Sequence, residues 1–291
     1  MNTSKLFSSV SRLAAAVVVA CGLSSQVLAQ GGGVTIVGVT TSDRLVSFNS
    51  ANPCAVSSPL KIEGLQSGEQ ILGIDFRPAT GVLYALGSSS RIYTINLTTG
   101  VATARGTAPF SPALEGTAFG LDFNPVVDLI RVVSNTGQNL RVSPVTGAVV
   151  GVDGRLAYAS GDANFGVPPT VAGAAYTNPD TNPATGTTLY DLDVDLHVLA
   201  TQNPANSGAL QTVGGLNVRA NDLLGFDIAS MNGLNVGYAA IKIAGGGRGR
   251  TCGNSTLVQV DLTTGRVTEL GGIGTNQPIT GLAVLIPPPG I

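Results

Sequence analysis

The chain has 291 residues, with 39 Gly, 16 Pro, one His and no Trp; 43% is hydrophobic and only 11% is charged. Its 15 basic and 17 acidic residues give a net charge of −2, so there is no basic field to hold nucleic acid, and the apolar share excludes a disordered chain. Gly and Pro at this density break long helices, which leaves short strands as the expected element.

The N-terminus reads as an export signal. Lys5 and Arg12 precede an apolar run from Leu13 to Val19, and Val27-Leu28-Ala29 ends in a small residue before Gln30. The run is too short to span a bilayer. Removal of residues 1–29 is expected to leave one domain, 30–291, in the periplasm or outside the cell. A second reading takes Val18-Val19-Ala20-Cys21-Gly22 as a relaxed lipobox with lipid on Cys21. No later apolar stretch has membrane-spanning length, so no transmembrane span is expected in the mature chain.

From Val34 the chain repeats itself. VTIVGVTT, RLVSFNSANP and PLKIEGL are three short apolar runs. A full unit of four runs follows, ILGIDFRPATGVLYALG with RIYTINLTTGVATARG. It recurs as AFGLDFNPVVDLIRVVS with NLRVSPVTGAVVG, and again as VAGAAYTNP, TTLYDLD and HVLATQNPANSGALQTVG. A fourth copy is LLGFDIASMNGLNVGYAAIKI with STLVQVDLTTGRVTELG, after which ITGLAVLIP matches only a first strand. Four strands separated by turn residues make a propeller blade, and repeats of about 50 residues fit that architecture. The predicted fold is therefore all-β, a five-bladed β-propeller of four-stranded blades, with the last blade closed by strands from both termini. A β-sandwich is the alternative, but it gives no reason for a divided fifth unit.

Two sets of positions recur in register. Gly73, Gly120, Gly173, Gly225 and Gly281 open the first strands, and Asn49, Asn96, Ser143, Asn203 and Asp261 follow the third, where a short polar side chain caps backbone N–H groups. Gly100, Gly147 and Gly265 come four residues later, where a left-handed backbone is expected.

The segments GIDFRPATGVLYALG, GTAFGLDFNPVVDLIRVVSNTGQNLRV, LAYASGDANFG, TQNPANSG and GFDIASMNG resemble the bacterial family known only as domain of unknown function 4394, over about Val34 to Ile286. The resemblance implies an exported bacterial protein and supplies no activity, cofactor or catalytic residue. Cys54 and Cys252 belong to no motif of that family.

In a propeller the loops between strands two and three, and those between blades, open on one face. The longest connection, Gly151 to Thr170, lies there, with Ser134–Asn139, Asp191–His197 and Ala244–Asn254 beside it. Loops on a rigid scaffold gather binding residues, so Asn135, Gln138, Asn139, Asp162, Asn164 and Asp193 are the candidate ligand-binding residues. Calcium is the one cofactor whose oxygen chemistry suits the acidic loops, and otherwise no cofactor is expected. The metal candidates are Asp122, Glu115, Asp191 and Asp195, although Asp191 and Asp193 alternatively end a strand. Asp75, Asp122 and Asp227 recur two residues after their blade-opening glycines. As buried carboxylates they would fasten neighbouring blades; as a partial ring, with Glu69, Glu115 and Asp222 at its mouth, they would form a functional channel.

His197, the single histidine, excludes a multi-histidine metal cage and opens a third strand, so no catalytic residue is assigned. No GxSxG, HExxH or phosphate-binding GxxxxGK[ST] motif occurs, and Gly245-Gly246-Gly247 with Arg248 and Arg250 lacks a helix start for an anion. Cys54 and Cys252 align to opposite faces, farther apart than a disulfide spans, which predicts two free thiols. The sequence thus points to a monomeric, exported binding or scaffold module in preference to an enzyme, recognising a polymer, small ligand or protein of the envelope. The alternatives are a metal-assisted hydrolase or lyase using channel carboxylates, and a purely structural envelope component.

Overall fold

The computed structural model describes Met1 and residues 32–182, 184–231, 233–243 and 252–285; side chains at 221–223 and 243 are left aside. Met1–Gly32 and Gly33–Ile291 are separate units, and everything below concerns the second. The signal segment, the lipobox with Cys21 and the run Gly245–Arg250 lie outside the described residues, as does the side chain of Asp222.

The first strands are β1 (Thr35–Thr40), β2 (Arg44–Asn49), β3 (Asn52–Val56) and β4 (Leu60–Lys61). Blade one is β5 (Ile71–Arg77), β6 (Val82–Gly87), β7 (Arg91–Ile95) and β8 (Ala102–Ala104), an antiparallel meander. Blade two repeats it with β9 (Phe119–Asn124), β10 (Leu129–Ser134), β11 (Asn139–Val142) and β12 (Val149–Val152). The short β13 (Ala157–Tyr158) then joins blade three from outside, parallel to its last strand. That blade consists of β14 (Val171–Tyr176), β15 (Leu189–Asp193), β16 (Val198–Gln202) and β17 (Ala209–Gly215). Blade four is β18 (Ala220–Met231), β19 (Leu234–Ile243), β20 (Ser255–Val260) and β21 (Val267–Ile273). Finally β22 (Ile279–Val284) pairs with β1, so blade five has the order β22-β1-β2-β3, with β4 also on β2. The protein is a five-bladed β-propeller whose last blade joins both ends of the unit.

The innermost strands β5, β9, β14, β18 and β22 touch in sequence, and β22 returns to β5. Ring closure leaves no free inner edge for another chain to pair with. The apolar residues pack between blades: Tyr84, Phe119, Phe123 and Val132 fill one seam, and Val133, Tyr176, Leu189 and Leu210 another. Because a blade is covered on both faces, its strands do not alternate between buried and exposed; the innermost β14 reads Val-Ala-Gly-Ala-Ala-Tyr with every residue buried.

The turn after the third strand follows the repeat. Asn96 Oδ1 accepts from Thr98 N and Thr99 N, Ser143 Oγ from Val145 N and Thr146 N, and Asp261 Oδ1 from Thr263 N. Gly100, Gly147 and Gly265 have φ of 74°, 69° and 77°, as the pattern requires. Asn203 departs from it: Pro204 and the 3-10 turn Ala205–Ser207 stand where the other copies make the tight turn.

The two cysteines correct the sequence expectation. Cys54 and Cys252 form a disulfide with Cα atoms 5.9 Å apart. The expectation placed Cys54 after the third strand and took PLKIEGL as the fourth. The chain instead reverses at once, and β3 and β4 divide the fourth-strand position along β2. This sets Cys54 in an outer strand beside β21, where Pro53 O accepts from Gly274 N at 3.2 Å. Cys252, just before β20, lies beside the end of β21, its Sγ 3.1 Å from Gly272 O. Pro53 hides this strand from a sequence reading, but an outer strand tolerates a residue without an N–H.

Candidate functional site

The centre of the ring is set by the five blade-opening glycines. A Cβ on Gly120 would lie 2.5 Å from Ala174 N, and one on Gly225 would lie 2.3 Å from Leu282 N. Lacking that atom, the inner strands approach until a void of only ≈ 10 Å³ remains among the glycines, about the space of one water.

Just below, Asp75, Asp122 and Asp227 meet, with one oxygen of each within 4.8 Å of the others, and all three are buried. Asp75 accepts from Phe76 N (2.6 Å) and Phe123 N (2.8 Å), Asp122 from Tyr176 N (3.2 Å), and Asp227 from Ile228 N and Val284 N (both 2.6 Å). Each carboxylate thus reaches the next blade's inner strand, the fastening role read from the repeat. The two double contacts have a simple cause. Ala175 and Ala283 hold the equivalent positions in blades three and five, so Ile228 N and Phe76 N receive nothing from the preceding blade, and Asp227 and Asp75 accept these N–H groups themselves.

Burial, then mutual repulsion, raises Asp75 and Asp122 well above the ordinary carboxylate range; burial pushes Asp227 up to about 7 against the pull of its two N–H donors. The folded protein therefore holds protons that the unfolded chain releases above pH about 4. Their contribution to stability is complete below that pH and is lost as pH rises through the raised folded-state values, about 7 for Asp227, at up to about 1.4 kcal/mol per pH unit per proton. Urea unfolding between pH 4 and 7 should show a falling midpoint; a rising one would refute the shared-proton account.

The remaining metal candidates are dispersed. Glu115 pairs with Arg155 at 2.9 Å on the surface and is not part of the central cluster. Asp195 accepts from Thr170 Oγ1, and Glu69 is buried against Tyr93 and Ser89. His197 has φ of 54° at the turn before β16, matching Asp43 and Ser90 before the third strands of blades five and one. Asp191 and Asp193 lie within β15, fully buried.

The loop-face residues converge on the seam between blades two and three. Arg131, 2% exposed, reaches from β10 to Asn139 Oδ1 (2.7 Å), Asp153 Oδ2 (2.6 Å), Asn206 Oδ1 (2.7 Å) and Tyr176 Oη (3.3 Å). Arg141 grips Asp153 with two further bonds. Burial alone would raise Asp153, but the two guanidiniums hold it below the usual range. Asn139 Nδ2 donates to Gly154 O and Ala205 O, so one amide ties β11 to both neighbouring loops.

Of the other ligand candidates, Asn135 Oδ1 accepts from Thr117 N, and Gln138 spans Ala113 O and Glu115 N. Asp162 accepts from Thr212 N and Oγ1, and Asn164 Nδ2 donates to Thr212. Asp193 receives Tyr158 Oη, Thr170 N, Asp195 N and Leu196 N. Asp162, Asn164 and Asp193 order the loop Gly151–Thr170 onto blade three, whereas Asn135 and Gln138 hold the connection from blade one to blade two.

What the tied loop presents is apolar. Phe165 is 63% exposed and Val167 42%. They flank a groove of ≈ 370 Å³ with Pro168, Pro169 and Tyr158 on one side and Asn135 and Thr136 on the other. Two aromatics, Tyr158 and Phe165, in a Gly-rich loop were the signal of this groove in the sequence.

No curated protein sequence matches the chain. Among solved structures, one titled "Crystal structure of Nidogen/Laminin Complex" is similar at 12% identity with a TM-score of 0.47, covering 87% of this chain and 99% of that one. Among the described residues no helix is long and apolar enough to cross a membrane. The family model described as "Domain of unknown function (DUF4394)" matches residues 44–283, and the chain belongs to that family.

Proposed function

We propose that this chain is an exported binding module that takes its ligand in the groove over the blade two–three seam. The observation that carries the reading is Phe165, held 63% exposed beside a ≈ 370 Å³ groove by a loop whose own polar groups are spent on anchoring it. An aromatic kept in water by a rigid support is preorganised for contact: little entropy remains to be lost when a sugar face or apolar side chain covers it. The export signal read at residues 1–29 supports a location in the envelope or outside the cell, where polymers and surface proteins would be its partners.

The test uses labelled 30–291 protein titrated against cell-envelope fractions and a polysaccharide panel. Saturable binding is expected, weakened about 10-fold or more by Phe165→Ala, as for an aromatic interface anchor, with an unchanged melting temperature. Val127→Ala, at an exposed hairpin tip on the opposite face, should leave it intact. Absence of saturable binding, or equal binding by the Phe165 variant, would refute the proposal.

A further inference from the structure

Beneath the groove, three buried oxygens on one face of blade three lack partners. Asp191 is 0% exposed and Gln202 2%. Neither Oδ1 nor Oδ2 of Asp191, nor Oε1 of Gln202, has a hydrogen-bond partner among the described residues. Gln202 Nε2 donates to Ala205 O, which fixes its other atom as the free oxygen. Asp191 stands opposite Ala174 on β14 and Ala200 on β16, and neither of these side chains can donate to its carboxylate. Gln202 comes two residues after Ala200, so both side chains occupy one sheet face as diagonal neighbours.

The surroundings satisfy other carboxylates and not this one. Asp193, two residues away on the same face, receives four donors. The bonds of Arg131 go to Asn139, Asp153, Asn206 and Tyr176, and none goes to Asp191. With Arg131 and Arg141 set against Asp153, Asp191 and Asp193, ionisation leaves the seam one negative charge in excess. A buried carboxylate without a donor or counter-charge costs several kcal/mol. Burial pushes Asp191 up to about 8, opposed by Arg131 and reinforced by Asp193. Two carboxylate oxygens and an amide oxygen are the donor types that hard cations prefer, and water completes such shells.

We propose that the blade two–three seam binds one hard metal cation through the Asp191 carboxylate and Gln202 Oε1, beneath the ligand groove and independently of it. The ion supplies the missing positive charge and ties β15 to β16 where the loop Gly151–Thr170 is anchored.

The test takes the 30–291 protein stripped with chelator and titrates calcium, magnesium and sodium separately. Bound ion is measured by equilibrium dialysis and elemental analysis, beside the melting temperature. One ion per chain and an upward melting shift are expected for at least one of the three. Asp191→Asn, which keeps the shape, and Gln202→Leu should each weaken binding about 10-fold or more. Phe165→Ala should leave ion binding unchanged, which separates this site from the groove. Should Asp191→Asn fail to fold, Gln202→Leu carries the test alone. The proposal is overturned if none of the three ions binds, if Gln202→Leu binds as the parent does, or if Asp75→Asn abolishes binding while Asp191→Asn does not.

Discussion

Asp75→Ala should destabilise the propeller by about 2–5 kcal/mol, since it leaves two buried N–H groups, on Phe76 and Phe123, without an acceptor, at ~1–3 kcal/mol each. For a domain of this size the melting temperature should fall by roughly 10 °C. Asp122→Ala should cost less, because only Tyr176 N loses its partner. Urea unfolding of the two variants beside the parent measures both. Equal and small losses would show that the carboxylates do not fasten the blades.

Breaking the Cys54–Cys252 disulfide, by reduction or by Cys54→Ser, should cost about 3–5 kcal/mol. The bond joins residues 198 apart in sequence, and closing so long a loop lowers the entropy of the unfolded chain by about 5 kcal/mol in the chain-entropy model. It also fastens β3 of blade five, the blade built from both ends of the unit, to the approach of β20 in blade four. Melting of the 30–291 protein with and without reductant gives the size of the effect. Thiol titration of the unreduced, unfolded protein should find no free thiol; two would refute the bond.

The propeller was legible because its signals recur in register. Gly73, Gly120 and Gly225 mark where inner strands crowd together, and Asn96, Ser143 and Asp261 mark the turns. The carboxylates of Asp75, Asp122 and Asp227 could be read as fasteners because their spacing follows the blades. The disulfide was not legible, since Pro53 disguises an outer strand as a turn. Nor were the commitments of Asn135, Gln138, Asn139 and Asp162. In sequence these are polar loop residues that look free to bind, and only the fold supplies the N–H and C=O groups that occupy them. Asp191 was harder still, because a blade strand is buried on both faces and alternation does not show which face carries the carboxylate. Phe165 passed unnoticed as one apolar residue among glycines.

The central claim, that the loop face over the blade two–three seam is the binding surface, is tested most directly by site-specific photocrosslinking. A photoreactive phenylalanine analogue placed at Phe165, and separately at Val127 on the opposite face, would be irradiated on 30–291 protein mixed with envelope material. The account predicts a discrete crosslinked product from position 165, reduced by excess unlabelled protein, and none from position 127. Equal labelling from both positions, or none at 165 where saturable binding is present, would contradict it.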